Sequence, residues 1–187
     1  MAQPRLNLKN VTTLLVDSDP FTRGLVAHML RGFGMDSPTQ CETGSQARHY
    51  LENHYADLCI FEAAQPDMPG TELIKWVRRQ ENSPFRFVPI IVMSGYTQLR
   101  LISTARDSGA NIVIKKPISP QNIFDRIMWA ARTTRPFLDA GEYVGPDRRF
   151  KTVAPPNGQY RRQSDRAAPR GGAVENLQRT NAAAERS

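Results

Sequence analysis

From residue 10 to residue 134, short apolar runs alternate with stretches that have helical spacing. Four runs, at 11–16, 57–61, 88–93 and 111–115, are brief and rich in β-branched residues, which is typical of buried strands. A weaker strand is predicted at 37–41. Each of these strands ends at polar residues or a turn, which is typical of a layered α/β domain.

A helix is predicted after each strand. Leu25, Val26 and Leu30 form the apolar stripe of the first one, with Asp19 as its N-cap and Pro20 in its first turn. Similar patterns predict further helices, at 45–54, 73–77, 98–108 and 120–132. Five strands alternating with five helices predict an α/β fold with a doubly wound, mostly parallel sheet.

The periodic pattern ends after Phe137. Residues 135–187 are rich in Pro, Gly, Arg, Gln and Ala, a composition that cannot bury a core of its own. The chain therefore divides into an N-terminal segment at 1–9, a domain at 10–134 and a largely irregular, flexible tail at 135–187.

Charge separates the tail from the domain. The chain has a formal net charge of +7, and the tail carries ten of its 25 Lys and Arg residues but six of its 18 Asp and Glu residues. A basic tail indicates an anionic partner. Cys41 and Cys59 lie in apolar runs and are expected to be buried thiols rather than a disulfide framework. No apolar run approaches the roughly 18 residues that span a bilayer, so we expect a cytoplasmic protein.

Polar side chains follow the predicted strands. Asp17, Ser18 and Asp19 come after the first strand, and the others are Glu62, Ser94 and Lys116. Functional groups gather at the carboxyl ends of the strands in sheets of this class. Carboxylates hold divalent cations such as magnesium, and a metal, a hydroxyl and a lysine can together surround a phosphoryl group.

This arrangement resembles the receiver domain of response regulators over residues 10–134. The resemblance rests on six short motifs, at 16–20, 61–62, 66–70, 92–95, 109–110 and 115–117. It implies a flavodoxin-like receiver fold with strand order 2-1-3-4-5. It also implies a place in two-component phosphorelay signalling, with a histidine kinase, a phosphotransfer protein or a downstream target as partner.

The sequence departs from the receiver pattern at three positions. Ser18 stands where receivers usually carry a second acidic residue, Glu62 stands in place of the phosphoacceptor aspartate, and Val113 replaces the usual aromatic switch residue. Glu62 is one methylene longer than aspartate, which displaces its carboxylate toward the space of the phosphoryl group. Asp17 and Glu62 are therefore expected to bind magnesium weakly or not at all, and the usual phosphorylation is not expected. Two interpretations of Glu62 remain open: it pairs with Lys116 and mimics a signalling state, or the site has decayed and the fold persists as an interaction platform.

The tail arginines are candidates for ligand binding. A Gly-x-x-Arg-Arg unit occurs twice, and an Arg-x-x-x-Arg spacing is similar to the arginine motif of PilZ-type cyclic di-GMP sensors; the residues are Arg148, Arg149, Arg161, Arg162 and Arg166. Arginine binds phosphates and guanine bidentately. Acidic residues interspersed in the tail disfavour nucleic acid as its partner.

We therefore expect a non-enzymatic, single-domain response regulator that docks on proteins independently of phosphorylation, through the face of its last two helices. Two alternatives stay open. One is a cyclic di-GMP effector that uses the tail arginines. The other is a working phosphorelay receiver phosphorylated at a non-standard carboxylate.

Overall fold

Five parallel strands and five helices alternate along the chain, as the hydrophobic pattern predicts. The computed structural model describes residues 7–81, 83–95, 99–133, 135–139, 141 and 143–147. The strands of the main sheet are β1 (Thr13–Val16), β2 (Thr39–Cys41), β3 (Leu58–Glu62), β4 (Ile90–Ser94) and β5 (Ile112–Lys115). The helices are α1 (Pro20–Gly32), α2 (Gly44–Asn53), α3 (Gly70–Arg78), α4 (Leu99–Asp107) and α5 (Pro120–Arg132), with a 3-10 turn at Pro84–Phe87.

The sheet has the order β2-β1-β3-β4-β5, which confirms the predicted fold. Val16 pairs with Phe61, and Ser94 pairs with Lys115. This register aligns the carboxyl ends of the central strands. The residues that follow those ends therefore meet at one edge of the sheet.

Apolar side chains fill both faces of the sheet. One core lies under α1 and α5, where Leu30 and Ile123 pack on Leu15 and Ile60. The other lies under α2, α3 and α4, where Leu73 packs with Phe61 and its neighbours. Strands that are covered on both faces read as continuous apolar runs, which explains why they were visible in the sequence.

Several local predictions are also confirmed. Asp19 caps α1 by accepting hydrogen bonds from Phe21 N and Thr22 N, and Pro20 begins the helix. Cys41 and Cys59 are buried free thiols, and burial raises the pKa of Cys59 to about 12. Within the described ranges, no helix combines the length and the apolar character needed to cross a membrane.

Part of the predicted tail is ordered against the domain. Strands β6 (Phe137–Asp139) and β7 (Val144–Pro146) form an antiparallel hairpin. Phe137 and Tyr143 are buried, and the Tyr143 hydroxyl donates to Pro146 O at 2.6 Å. The sequence showed no sign of this hairpin because each of its strands has only three residues.

Arg78, at the end of α3, joins the hairpin to the domain. Its side chain is buried, and its guanidinium donates to four acceptors: Gly109 O, Arg86 O, Val88 O and Asn111 Oδ1. The guanidinium also lies 5.1 Å from the ring centroid of Phe137 on β6. Burial lowers the pKa of Arg78 to about 9.

Candidate functional site

Asp17 and Lys116 meet at the carboxyl edge of the sheet. Asp17 follows β1 and is buried, and its Oδ1 accepts a hydrogen bond from Asp19 N at 2.9 Å. Its second oxygen, Oδ2, accepts from Lys116 Nζ at 2.9 Å. Both oxygens of this carboxylate therefore have partners inside the protein.

Glu62 pairs with the same lysine. Its carboxylate, which is buried at the end of β3, forms an ion pair with Lys116 Nζ. The Lys116 side chain is 22% exposed, whereas those of Asp17 and Glu62 are 1% and 9% exposed. We refer to Asp17, Glu62 and Lys116 as the carboxylate–lysine cluster.

Burial and ion pairing shift the pKa values of Glu62 and Lys116 in opposite directions. Burial raises the pKa of Glu62, and it outweighs the opposing hydrogen bond and positive charge of Lys116. For Lys116, burial lowers the pKa, but the hydrogen bonds and charges of Glu62 and Asp17 raise it above its ordinary value. Lys116 is therefore held as a cation between two carboxyl groups.

Ser18 and Asp19 do not join the cluster. Ser18 is exposed. The Asp19 side chain turns to the start of α1, where the hydroxyl and backbone N–H of Thr22 and the backbone N–H of Phe21 donate to it. These bonds, the one from the Thr22 hydroxyl first, lower the pKa of Asp19.

The residues at this edge do not fit a magnesium ion. A magnesium site in proteins is built from oxygen ligands. Here the Lys116 ammonium lies between the two buried carboxylates, and the position that would add a third is Ser18. In the described part of the chain, no group of three His, Cys, Asp or Glu side chains is placed to hold a metal. With both buried carboxylates paired to Lys116 and a serine at position 18, this edge offers a divalent cation no unpaired carboxylate of the cluster.

Ser94 and Val113 occupy the positions expected for them. Ser94 is buried at the end of β4, and its carbonyl accepts from Lys116 N at 2.8 Å. Val113 is half-buried on β5. The structure thus brings Asp17, Glu62, Ser94 and Lys116 to one edge and places Val113 on the strand that leads to it.

Sequence reasoning missed two polar groups that shape the site. Arg23 on α1 donates to Asp17 O at 2.7 Å and forms a 2.8 Å ion pair with Glu42. Asp67, in the loop after β3, accepts from Gly44 N, Ser45 N and the Ser45 hydroxyl at the start of α2. These bonds, the one from the Ser45 hydroxyl first, lower the pKa of Asp67 to about 2. The motif at 66–70 pointed to this loop but not to its contact with α2.

Gly70 completes the same loop. A side chain at Gly70 would place its Cβ 2.5 Å from Glu62 O, closer than atoms can pack. The chain therefore needs glycine here to turn from β3 into α3.

The candidate ligand-binding arginines at 148, 149, 161, 162 and 166 lie outside the described residues.

Comparisons with known proteins agree with this architecture. The family model described as the response regulator receiver domain matches residues 13–128. The transcriptional regulatory protein PdtaR of Mycobacterium tuberculosis is 27% identical over 122 residues, which cover 65% of this chain and 57% of PdtaR. The present chain thus matches little more than half of that relative's length. The chemotaxis protein CheY-3 of Vibrio cholerae is 24% identical over 119 residues, which cover 64% of this chain and 90% of CheY-3.

Solved structures show the same fold. The chemotaxis response regulator CheY4 of Vibrio cholerae has a TM-score of 0.59 at 24% identity and covers 64% of this chain and 98% of its own. The receiver domain of the sensor histidine kinase PA1611 from Pseudomonas aeruginosa, solved with magnesium coordinated in its active site cleft, has a TM-score of 0.57 at 26% identity. It covers 64% of this chain and 97% of its own.

Proposed function

The chain belongs to the response regulator receiver family, and on that basis we propose that it is a non-enzymatic signalling module that docks on protein partners without being phosphorylated. Proteins of a two-component pathway are the expected partners: a histidine kinase, a phosphotransfer protein or a downstream target. The docking surface that we assign to it is the face formed by α4, β5 and α5.

The carboxylate–lysine cluster is the observation that carries this proposal. Phosphoryl transfer relies on metal ions and cationic side chains that neutralise the developing charge. Glu62 and Asp17 instead already hold Lys116, and Ser18 adds no ligand. The pairing of Glu62 with Lys116 is the contact that a mimic of a signalling state requires, and it is equally compatible with a decayed site whose fold serves as an interaction platform.

Acetyl phosphate labelling tests the proposal directly. The protein is incubated with acetyl phosphate and magnesium, and phosphorylation is measured by intact-mass spectrometry. We expect no added phosphate on the natural sequence. The variant Glu62→Asp should also remain unlabelled, because it still lacks a second acidic residue at position 18. The double variant Ser18→Asp/Glu62→Asp should gain a phosphate that hydroxylamine removes, which serves as the positive control.

A labelled natural protein would contradict the proposal. If hydroxylamine removed the phosphate and Glu62→Gln abolished it, the alternative of a phosphorelay receiver with a glutamate acceptor would be correct. Beryllofluoride provides a second readout, because it imitates a bound phosphoryl group without chemistry. No change in the ¹⁵N–¹H spectrum of the natural protein on its addition would agree with a closed site.

A second candidate function rests on the tail. The repeated Gly-x-x-Arg-Arg unit and the Arg-x-x-x-Arg spacing favour a cyclic di-GMP effector. Isothermal titration with cyclic di-GMP tests it in the full chain and in two variants, Arg148→Ala/Arg149→Ala and Arg161→Ala/Arg162→Ala/Arg166→Ala. Truncation at Thr134 is unsuitable as a control because it removes the hairpin that packs on the domain. Binding that both variants lose would establish this function, and no binding to the full chain would exclude it.

A further inference from the structure

A cavity of about 290 Å³ lies between α4, β5 and α5. Apolar side chains, including Ile102, Ile112 and Val113, form much of its lining, and Trp129 of α5 adds an aromatic wall. Pro146 of the β6–β7 hairpin lines it as well. The size is at the lower end of what small-molecule sites have, and it suits a ligand of one or two rings.

Three arginines line the same cavity: Arg106, Arg126 and Arg135. None of the described residues that line it is Asp or Glu. Arg106 and Arg126 are exposed, and neither forms an ion pair with any described residue. Arg135 lies 4.7 Å from the ring centroid of Trp129 and donates to Asp147 O. The cavity therefore presents a concentration of positive charge beside an apolar surface.

We propose that this cavity binds a small aromatic anion. A flat ring would lie against Trp129 and the apolar side chains, and its carboxylate or phosphate would be held by the guanidinium groups. Arginine suits this task because its planar fork binds such anions bidentately. A partner helix is a poorer match, since the volume corresponds to one or two rings rather than to a row of side chains.

Val113, Arg135 and Pro146 each contribute to the lining of the cavity. Val113 is a small residue on the strand, and an aromatic side chain in its place would fill the space that Val113 leaves. Arg135 and Pro146 lie beyond residues 13–128, the part that the family model matches. The cavity is also separate from the carboxylate–lysine cluster: Ala110 and Asn111, which line it, precede β5, whereas Lys116 follows that strand. The proposal does not depend on the state of that cluster, but the cavity lies on the α4, β5 and α5 face that the proposed function assigns to partner docking.

Fluorescence titration of the full chain with 8-anilinonaphthalene-1-sulfonate tests the proposal. This probe has an aromatic body and one negative charge, and N-phenyl-1-naphthylamine is its uncharged counterpart. We expect the sulfonate to bind at least about ten-fold more tightly than the amine, because only the sulfonate can use the arginines. Arg106→Ala/Arg126→Ala should weaken sulfonate binding about ten-fold, while Arg31→Ala, a change of an exposed arginine on α1, should leave it unchanged.

Val113→Phe supplies a second variant that keeps every charge. The added ring should fill the cavity and abolish binding of the sulfonate. In the natural protein, the indole N–H resonance of Trp129 should shift on titration, whereas that of Trp76, which stacks on Phe85, should not. Full binding by Val113→Phe, equal affinity for the two probes, or an unmoved Trp129 resonance would each overturn the proposal.

Competition between the probe and other aromatic anions identifies which anionic group the cavity recognises. Displacement of the probe by GMP but not by guanosine would identify a nucleotide phosphate as the recognised group. Displacement by salicylate, with GMP inactive, would identify an aromatic carboxylate. If neither GMP nor salicylate displaced the probe, the site would recognise neither a phosphate nor a carboxylate on an aromatic ring, and the proposal of such a ligand would fail.

Discussion

Lys116 Nζ donates to Asp17 Oδ2 at 2.9 Å, which ties the residue after β5 to the residue after β1 across 99 positions of sequence. Because the same nitrogen also pairs with Glu62, a single cation neutralises part of the charge of two buried carboxyl groups. Removing one member of such a set leaves the others without compensation. Loss of any one of these three side chains is therefore expected to destabilise the fold.

Replacing Lys116 should destabilise the fold. Lys116→Met leaves Asp17 and Glu62 buried and unpaired, and we expect a loss of about 3 kcal/mol in the free energy of unfolding, measured by urea denaturation at neutral pH. Lys115→Met changes an exposed neighbour and should cost little. The double variant Lys116→Met/Glu62→Gln should recover part of the loss. Equal stability of the Lys116 and Lys115 variants would show that the ion pairs of Lys116 contribute nothing to the free energy of unfolding.

The raised pKa of Glu62 predicts a pH dependence. The folded protein holds the Glu62 proton more tightly than the unfolded chain, whose glutamates titrate at about 4.3. This residue therefore makes stability fall as the pH rises from below 4.3 through the higher folded pKa. Relative to Glu62→Gln, the natural protein should lose free energy of unfolding over that window, as measured by denaturation at several pH values. If the natural protein instead gained free energy of unfolding relative to Glu62→Gln over that window, the pKa of Glu62 in the folded protein would be lowered rather than raised.

Arg78 should be among the most sensitive positions of the domain. Arg78→Ala leaves its carbonyl acceptors without a donor and opens a space beside Phe137. We expect a loss of about 3 kcal/mol or more in the free energy of unfolding. Arg79→Ala, a change of the exposed neighbour, is the matched control and should cost less than about 0.5 kcal/mol. Similar losses in both variants would argue against a special role for Arg78.

Gly145→Ala should release the hairpin. Its added Cβ would lie 2.7 Å from both Gly109 Cα and the Tyr143 hydroxyl, and Gly109 is backbone that cannot move aside easily. We expect the amide of Asp147, which donates to Pro136 O at 2.8 Å, to lose its protection against hydrogen exchange. Gly24→Ala on α1 meets nothing within 4 Å and should leave exchange at Asp147 unchanged. Retained protection in Gly145→Ala would mean that the hairpin docks without this close approach.

Much of the fold and the identity of the site residues could be predicted from the sequence alone. Strands covered on both faces leave unmistakable apolar runs, and the polar residues that end them had to meet at one edge because parallel strands share a direction. Asp19 was recognisable as a cap because capping is local. Phosphorylation independence and ligand binding by the tail arginines remain predictions.

Only the tertiary structure decided what the site residues do with one another. Whether Lys116 reaches Glu62, Asp17 or both depends on strand register and side-chain packing between residues that are far apart in sequence. The buried role of Arg78 was hidden for a similar reason, since an arginine near a helix end is usually solvated and its acceptors come from two other segments, at 86–88 and 109–111. The strands of the hairpin are too short to carry a sequence pattern, and the cavity depends on how α4, β5, α5 and the hairpin pack together, which no local pattern reveals.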